Sequence, residues 1–258
     1  MKRPERIARG YDLYGNIAVI GAPPAAAKTI GKRLMRENSN VRTVLRKGGP
    51  VRGRYRTRDF IYVAGERNYL ADYRENGCRF VFDIRKTFFS TRLAYERKRI
   101  SGLVKDGERV VVMFAGAGPY AIEMARTHKK CRVIAIELNK SACVYMRKSI
   151  LLNKVKNVTV EQGDVRRFAD KYEGWADRIV MPLPQSASRF LQTAIKMCGS
   201  RCTIHYYAFC KSEDTREAIS NLRKFFAGRK KKFRLLGSRV VRPYSSREIE
   251  LAVDFTAS

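Results

Sequence analysis

The sequence predicts an α/β protein whose larger part is a parallel sheet covered by helices on both faces. From residue 86 onward, short apolar runs alternate with segments of helical spacing, as in repeated β-α units. The first buried run, Val110–Phe114, passes directly into the turn Ala115-Gly116-Ala117-Gly118-Pro119 and then into a helical segment. A strand, a glycine turn and a helix in this order begin a nucleotide-binding βα unit, so the expected class is a Rossmann-like sheet.

Residues 1–85 are predicted to form a small basic α/β domain, and residues 86–258 the larger, Rossmann-like one. The first strand of the small domain is Asn16–Ile20, and a Pro-Pro-Ala segment from residue 23 begins a helix that ends near Met35. Further strands are predicted at Val41–Leu45, Tyr69–Tyr73 and Cys78–Asp83.

Arginines occupy every second position from Arg52 through Arg54 and Arg56 to Arg58. On an extended strand, this spacing places all four side chains on one face. Four adjacent like charges repel one another unless they share an anion, so we expect a strand that faces nucleic acid. The alternative is an ordinary solvated strand face.

The elements of the larger domain follow in the order that a doubly covered sheet requires. A helix carrying Leu93, Arg97 and Ile100 precedes the first strand. The predicted strands are Val110–Phe114, Arg132–Ile136, Val158–Val160, Arg178–Met181 and Thr203–Ala208. The predicted helices are Ala121–Ala125, Ser141–Asn153 and 186–198. An antiparallel pair, Phe233–Val241 and Ile249–Phe255, completes the sheet.

The composition is that of a folded, strongly basic protein. Lys and Arg number 54 against 24 Asp and Glu, a net charge of +30, which predicts a polyanionic partner. Hydrophobic residues make up 45% of the chain, which is enough for a packed core, so the basic composition is not that of a disordered tail. No apolar run approaches the ~20 residues of a membrane span, and residues 1–6 begin no signal core, so we expect a cytoplasmic protein. We also expect a monomer with no obligate protein partner.

The six cysteines are scattered, and the only close pair, Cys198 and Cys202, has no second pair at zinc-ligand spacing. The sequence therefore predicts no metal site. We expect the cysteines to be small buried apolar side chains. A disulfide between any two of them stays open.

Two carboxylates at the ends of successive strands indicate what kind of small molecule binds beside the glycine turn. Glu137 ends the second strand 19 residues beyond Gly118, where a carboxylate can accept both ribose hydroxyls. Asp164 follows Gly163 at the end of the next strand, placed to meet an adenine amino group, with Val165 offering a backbone amide. No phosphate-loop lysine is present, and both carboxylates would repel a triphosphate. An adenosine carrying a cationic sulfonium and an amino acid fits these charges.

These residues resemble a known family, the archaeal and eukaryotic tRNA guanine-37 N1-methyltransferases, which are class I S-adenosylmethionine-dependent enzymes. The likeness runs from about residue 7 to 255. It rests on the segments Phe89-Ser90-Thr91-Arg92-Leu93 with Glu96-Arg97, Met113 to Pro119, Ala135 to Asn139, Gly163 to Arg166, Met181 to Pro184 and Ile204 to Tyr207.

The resemblance implies specific roles for these residues. Arg56 would hold the target guanosine, Glu96 would accept its N1 proton, and Pro182 would lie at the reacting base. The methyl donor would be bound by Arg92, Phe114, Ala115, Gly116, Gly118, Glu137, Leu138, Asp164, Val165, Pro182, Leu183 and Pro184. From the residues alone, Glu96 has another interpretation, an ion pair with a neighbouring arginine in its helix.

The chain departs from the family pattern at two places. The family usually has Asn where this chain has Pro182, and proline has no side-chain amide to offer the base. The family also commonly carries an extra N-terminal domain that contacts the tRNA, and we expect this form to lack it. The small basic domain and the catalytic domain would then provide the contacts to tRNA.

Phosphate contacts are expected from Arg52, Arg54, Arg58 and the cluster Arg229, Lys230, Lys231 and Lys232. Methylation of N1 of guanosine 37 is the main hypothesis. The alternatives are methylation of a carbon of a wyosine-type tricyclic guanosine, alone or in addition, and transfer of the aminocarboxypropyl arm of the same cofactor. A basic RNA-binding protein without catalysis is a further class.

Overall fold

Three β-sheets and six α-helices make up residues 10–258, the part of the chain that the computed structural model describes. The N-terminal residues 1–6, used above to argue against a signal sequence, lie outside the described residues. Among the described residues, no helix is both long enough and apolar enough to cross a membrane.

Seven strands form the large sheet in the order β12-β13-β11-β10-β7-β8-β9. The strands are β7 (Arg109–Met113), β8 (Arg132–Glu137), β9 (Val158–Gln162), β10 (Ala176–Met181), β11 (Cys198–Lys211), β12 (Phe233–Pro243) and β13 (Glu248–Ala257). The first five are parallel, and β13 runs antiparallel to both β11 and β12. The predicted Rossmann-like sheet with an antiparallel C-terminal pair is confirmed.

Helices cover both faces of this sheet. One face packs against α2 (Ala94–Leu103), α3 (Pro119–Thr127) and α4 (Lys140–Leu152). The other packs against α5 (Leu191–Met197) and α6 (Thr215–Phe226). The central strands β7 and β10 are buried on both sides over Val110–Met113 and Ile179–Met181, which explains why these two segments are apolar.

The small domain has a four-stranded sheet and one helix. Its strands are β1 (Tyr11–Tyr14), β2 (Ile17–Ile20), β3 (Thr43–Lys47) and β4 (Phe60–Gly65), and α1 (Pro24–Glu37) packs against the sheet. A separate hairpin, β5 (Leu70–Glu75) and β6 (Cys78–Asp83), packs its aromatic residues against both β2 and α3. Because this hairpin shares one hydrophobic cluster with both parts, the domain boundary at residue 85 stays a prediction.

The predicted strand of four arginines is wrong. Residues 53–56 form a turn that is closed by a backbone hydrogen bond of 2.8 Å from the Arg52 N–H to the Thr57 carbonyl. Gly53 and Arg56 adopt left-handed backbone conformations, with φ of 67° and 54°. Glycine adopts such a conformation readily, and Gly53 ends the extended run that the alternating arginines suggest. We call residues 50–58 the arginine loop.

All six cysteines are free in the structure, and five of them are buried. This confirms the five buried cysteines as apolar core residues, whereas Cys210 is only partly buried.

One buried carboxyl group gives a test of the fold that is independent of function. Glu123 of α3 is 3% exposed and accepts a hydrogen bond of 3.0 Å from Asn76, and burial raises its pKa to about 7. Because the native pKa lies above the unfolded value, the native state binds the extra proton between about pH 4.5 and 7, and stability falls as the pH rises through this window.

We therefore expect the Glu123→Gln variant to have the same free energy of unfolding as the wild type near pH 4.5. At pH 8 the variant should be more stable than the wild type by about 1–3 kcal/mol, after allowance for solvent screening. Thermal unfolding at both pH values measures this, with the exposed Glu213→Gln as the control. Equal melting temperatures at pH 8 would contradict the assignment.

Candidate functional site

A cavity of about 440 Å³ opens where the parallel strands β7, β8 and β10 end. We call it the strand-end cavity. Its wall contains most of the residues that the sequence assigns to the methyl donor: Phe114, Gly116, Glu137, Leu138, Asp164, Val165, Pro182 and Leu183. Four residues of the arginine loop, Gly53, Arg54, Tyr55 and Arg56, also line it. The small domain therefore contributes directly to this cavity.

Glu137 is fixed by backbone donors at the centre of the strand-end cavity. Its Oε2 accepts a hydrogen bond of 2.7 Å from the Gly116 N–H, and its Oε1 accepts one of 2.7 Å from the Asn139 N–H. Burial raises the pKa of Glu137, and these backbone N–H groups oppose that shift. Each oxygen keeps a lone pair for a further donor, so an oriented acceptor pair faces the cavity.

The turn after β7 has a backbone that few sequences tolerate. Phe114 and Gly116 both have positive φ, 56° and 57°, and a phenylalanine in this region is strained. Gly118 begins α3 with φ of 83°, and a Cβ there would lie 2.5 Å from Cγ of Met146. Only glycine fits at position 118, so Gly118 is needed for the shape of the turn. It does not itself line the cavity.

Asp164 accepts hydrogen bonds from the side chain of Arg166, at 2.6 and 2.9 Å. The Arg166 hydrogen bond holds the pKa of Asp164 below its usual value, with a smaller contribution from Arg54. The carboxylate is therefore ionised and one-quarter exposed at the cavity wall. An exocyclic amino group is the kind of donor that it can accept.

A second cavity, of about 390 Å³, lies between the two domains. We call it the junction cavity. Its polar lining is dominated by cations: Lys47, Arg56, Arg58, Arg92 and Arg242. Asp12 is its only carboxylate among the described lining residues, and it pairs with Lys47 at 2.9 Å and with Arg92 at 2.8 Å. Such a cavity suits an anionic ligand.

Burial alone would raise the pKa of Asp12, but Lys47 and Arg92 outweigh it and hold the pKa below its usual value. Since β1, β3 and the turn before α2 supply these three residues, the ion pairs also join the small domain to the large one.

Arg56, Phe88 and Gln185 line both cavities, and we call these three residues the shared wall. The Arg56 guanidinium lies 4.5 Å from the centre of the Phe88 ring. Its Nε is buried and has no hydrogen-bond partner among the described residues, and burial lowers the pKa of this side chain. A partly desolvated cation at the boundary is placed to bind a ligand atom that carries negative charge.

Glu96 is fully buried in α2 and lines neither cavity in the described structure. Arg99 donates two hydrogen bonds to its carboxylate, at 2.7 and 2.9 Å, and the Tyr207 hydroxyl donates a third at 2.7 Å. Arg99 also pairs with Asp254 at 2.6 Å. The structure thus contains the ion pair that the sequence offers as the alternative for Glu96, and its role as proton acceptor stays a prediction.

The other residues assigned from the sequence take different places. Arg92 lines the junction cavity and not the strand-end cavity. Ala115 and Pro184 are buried behind the wall, and their backbones hold neighbouring segments: the Ala115 N–H donates to the Ile136 carbonyl and the Pro184 carbonyl accepts from Phe209. His205, buried beneath the site, pairs with Asp254 as a core residue.

The predicted RNA-binding residues lie in two separate regions. Arg54 and Arg58 of the arginine loop line the cavities, whereas Arg52 is exposed outside them. Residues 229–232 precede β12, whose first residue pairs with the end of β13 at the amino end of the parallel strands. The eleven residues of β12 place this cluster roughly 35 Å from the junction cavity.

The polar cavity residues that sequence reasoning missed include Asp12, Lys47 and Gln185. Each stands outside the quoted motifs, and only the packing of the two domains brings them together. Arg242 and Tyr244 line the junction cavity because β12 carries the chain back to the site.

Comparison with known proteins places the chain among tRNA-modifying enzymes. The profile of the TRM5/TYW2 methyltransferase domain matches residues 71–236, and that of the TYW2 N-terminal domain matches residues 2–68. A relative from Pyrococcus abyssi, named tRNA (guanine(37)-N(1))-methyltransferase Trm5b, is 40% identical over an alignment of 255 residues that covers 96% of this chain and 74% of the relative.

A relative from Saccharolobus solfataricus, named tRNA 4-demethylwyosine(37)-methyltransferase Taw21, is 30% identical over 260 residues, covering 98% of this chain and 95% of the relative. Among solved structures, the complex of aTrm5 and tRNALeu aligns with a TM-score of 0.86 at 32% identity, over 97% of this chain and 72% of that one.

Proposed function

Because the chain belongs to the TRM5/TYW2 methyltransferase family, we propose that it transfers a methyl group from S-adenosylmethionine to N1 of guanosine 37 in tRNA. The observation that carries this proposal is the pair of adjoining cavities. One has the carboxylates that suit an adenosine, the other is basic, and the two meet at Arg56, Phe88 and Gln185. A methyl donor and a nucleotide acceptor require such an arrangement.

The strand-end cavity fits the donor. Glu137 presents two oriented oxygens for the ribose hydroxyls, and Asp164 presents an ionised carboxylate for the adenine amino group. When bound, S-adenosylmethionine supplies an electrophilic methyl group on a sulfonium. Phe114 and Leu183 give this side of the cavity an apolar surface.

The acceptor base would enter from the junction cavity. A base within a stacked anticodon loop must turn out of the stack to reach a pocket, and the cations of this cavity can hold its flanking phosphates. Arg56, at the shared wall, would stabilise the negative charge that develops on guanine O6 as N1 loses its proton. We assign the removal of that proton to Glu96, one turn of helix beyond Arg92.

A second candidate function is methylation of a carbon of a tricyclic guanosine derivative. Two observations favour it: Pro182 in the strand-end cavity has no amide for the base, and the Saccharolobus relative named for 4-demethylwyosine matches this chain over nearly its whole length. Monomeric state and cytoplasmic location also remain predictions.

Nucleoside mass spectrometry decides among these functions. The protein is incubated with labelled donor and with tRNA that carries either guanosine or 4-demethylwyosine at position 37. 1-Methylguanosine in the first reaction supports the proposal, and product only from the tricyclic substrate supports the second candidate. A mass gain of an aminocarboxypropyl group, or no product from either tRNA, would overturn both.

The basic cluster at residues 229–232 gives a prediction about tRNA affinity. Replacing Arg229, Lys230, Lys231 and Lys232 with alanine should reduce the slope of log affinity against log salt, by about 0.9 for each duplex phosphate that the variant no longer neutralises. Fluorescence titrations over a range of salt concentrations measure the slope. Alanines at the exposed Lys129 and Lys130 are the control. An unchanged slope in the cluster variant would remove this distant surface from the tRNA interface.

A further inference from the structure

Gln185 is a cavity residue to which no role has been assigned. It lies in the shared wall, and its side-chain amide makes no hydrogen bond to any other described residue. The backbone around it is fixed. The Leu183 N–H donates to the Met181 carbonyl at 2.8 Å, and the Ala187 N–H donates to the Leu183 carbonyl at 2.9 Å. A free, exposed amide on a rigid turn therefore lies at the boundary of the two cavities.

The three residues of the shared wall differ in hydrogen-bonding capacity. The Arg56 guanidinium has only donors, and the Phe88 side chain has neither donors nor acceptors. Gln185 is thus the only residue of this wall whose side chain can accept a hydrogen bond. Arg56 comes from the small domain and Gln185 from the loop after β10, so the two polar groups approach the boundary from different domains.

Guanine has a matching pattern around N1. O6, an acceptor, lies on one side of N1, and the 2-amino group, a donor, lies on the other. If N1 faces the strand-end cavity, O6 and the 2-amino group both lie against the shared wall. O6 pairs with the donors of Arg56, and the 2-amino group needs an acceptor.

We propose that the Gln185 carbonyl oxygen accepts a hydrogen bond from the 2-amino group of the acceptor guanine, which makes Gln185 a specificity-determining residue. This inference rests on the proposed function. The other carboxylates and amides of the two cavities are engaged or already assigned. Asp12 is paired with Lys47 and Arg92 and lines only the junction cavity, and Glu137 and Asp164 are assigned to the methyl donor. The unpaired Thr87 hydroxyl lines the junction cavity alone and not the shared wall. The Asn139 oxygen accepts from two N–H groups at the start of α4.

A hydrogen bond from the 2-amino group to Gln185 also affects substrate choice. In a tricyclic guanosine, N1 and the 2-nitrogen belong to the third ring and no free amino group remains. Gln185 therefore favours guanosine over the tricyclic base, even though Pro182 contributes no amide.

Inosine tests the hydrogen bond because it differs from guanosine only in lacking the 2-amino group. Single-turnover kcat/KM is measured on tRNA with guanosine 37 and with inosine 37, for the wild type, Gln185→Leu, Gln185→Glu and the exposed control Gln192→Leu. We expect the wild type and Gln192→Leu to prefer guanosine by about tenfold, in line with one missing hydrogen bond and an unpaired partner.

Gln185→Leu should reduce this preference to about one, whereas Gln185→Glu, which keeps an acceptor, should retain it. Full preference in Gln185→Leu, or its loss in Gln185→Glu, would overturn the inference. If the wild type makes no 1-methylguanosine on guanosine-37 tRNA, the proposed function fails. If it makes this product but shows no preference over inosine, only the role of Gln185 fails.

Discussion

Replacing Glu137 with alanine is expected to weaken S-adenosylmethionine binding by roughly 10²–10⁴-fold. Two ribose hydroxyls would donate to this carboxylate, and a hydrogen bond to a charged group contributes about 1.5–3 kcal/mol. The substitution also leaves the Gly116 and Asn139 N–H groups without their acceptor. Isothermal titration calorimetry with the donor measures the loss.

The matched control is Glu161→Ala on the neighbouring strand β9. Glu161 pairs with Lys171 and Tyr172 and lines neither cavity in the described structure, so its loss should leave donor affinity unchanged. Wild-type affinity in Glu137→Ala would remove Glu137 from the donor site. A melting temperature close to that of the wild type in the absence of donor would show that a loss of affinity comes from the binding groups and not from unfolding.

The central sheet could be predicted from the sequence because its strands are buried on both faces. β7, β8 and β10 contain the apolar runs Val110–Met113, Val133–Ile136 and Ile179–Met181. Each run is followed within three residues by a glycine, a carboxylate or a proline that lines the strand-end cavity. Strand β4 was not predicted because its sequence signal is weaker. β4 is a half-buried edge strand of the small sheet.

Helix α6 was missed although its pattern is present in the sequence. Ile219, Leu222 and Phe226 are spaced for one helical face, and the last two are buried against β13. In the arginine loop, by contrast, the spacing of arginines at every second position was misleading. The alternation of charges suggests a strand, but Gly53 and a strained Arg56 turn the chain instead.

The strand-end cavity could be predicted because each of its motifs is local in the sequence, at the end of one strand. The junction cavity could not, since its residues are contributed by β1, β3, the arginine loop and β12. Asp12 and Lys47 have no sequence signal that separates them from ordinary surface charges. Their proximity arises from the packing of the two domains, which no single segment encodes.

The role of Glu96 as proton acceptor can be tested directly, because the structure also pairs it with Arg99. If Glu96 takes the N1 proton, Glu96→Gln should lower the single-turnover rate by roughly 10²–10⁴-fold while donor and tRNA binding survive. Raising the pH should partly restore the rate, because N1 then begins to ionise on its own. Arg56→Ala should also be slow, but higher pH should not restore it, since its loss removes charge stabilisation at O6 and not a base.

Glu96 is also the partner of Arg99, so the experiment needs a variant that disturbs the same network without touching Glu96. Asp254→Asn does this, because Asp254 is the other carboxylate that pairs with Arg99. Burial alone would raise the pKa of Asp254, but His205 and Arg99 outweigh it and bring the pKa to about 2. We expect Asp254→Asn to lower thermal stability. Its single-turnover rate should not recover at high pH, whereas that of Glu96→Gln should. If both variants are equally slow and neither recovers at high pH, or if Glu96→Gln reacts at the wild-type rate, Glu96 is a structural partner of Arg99 and another group removes the proton.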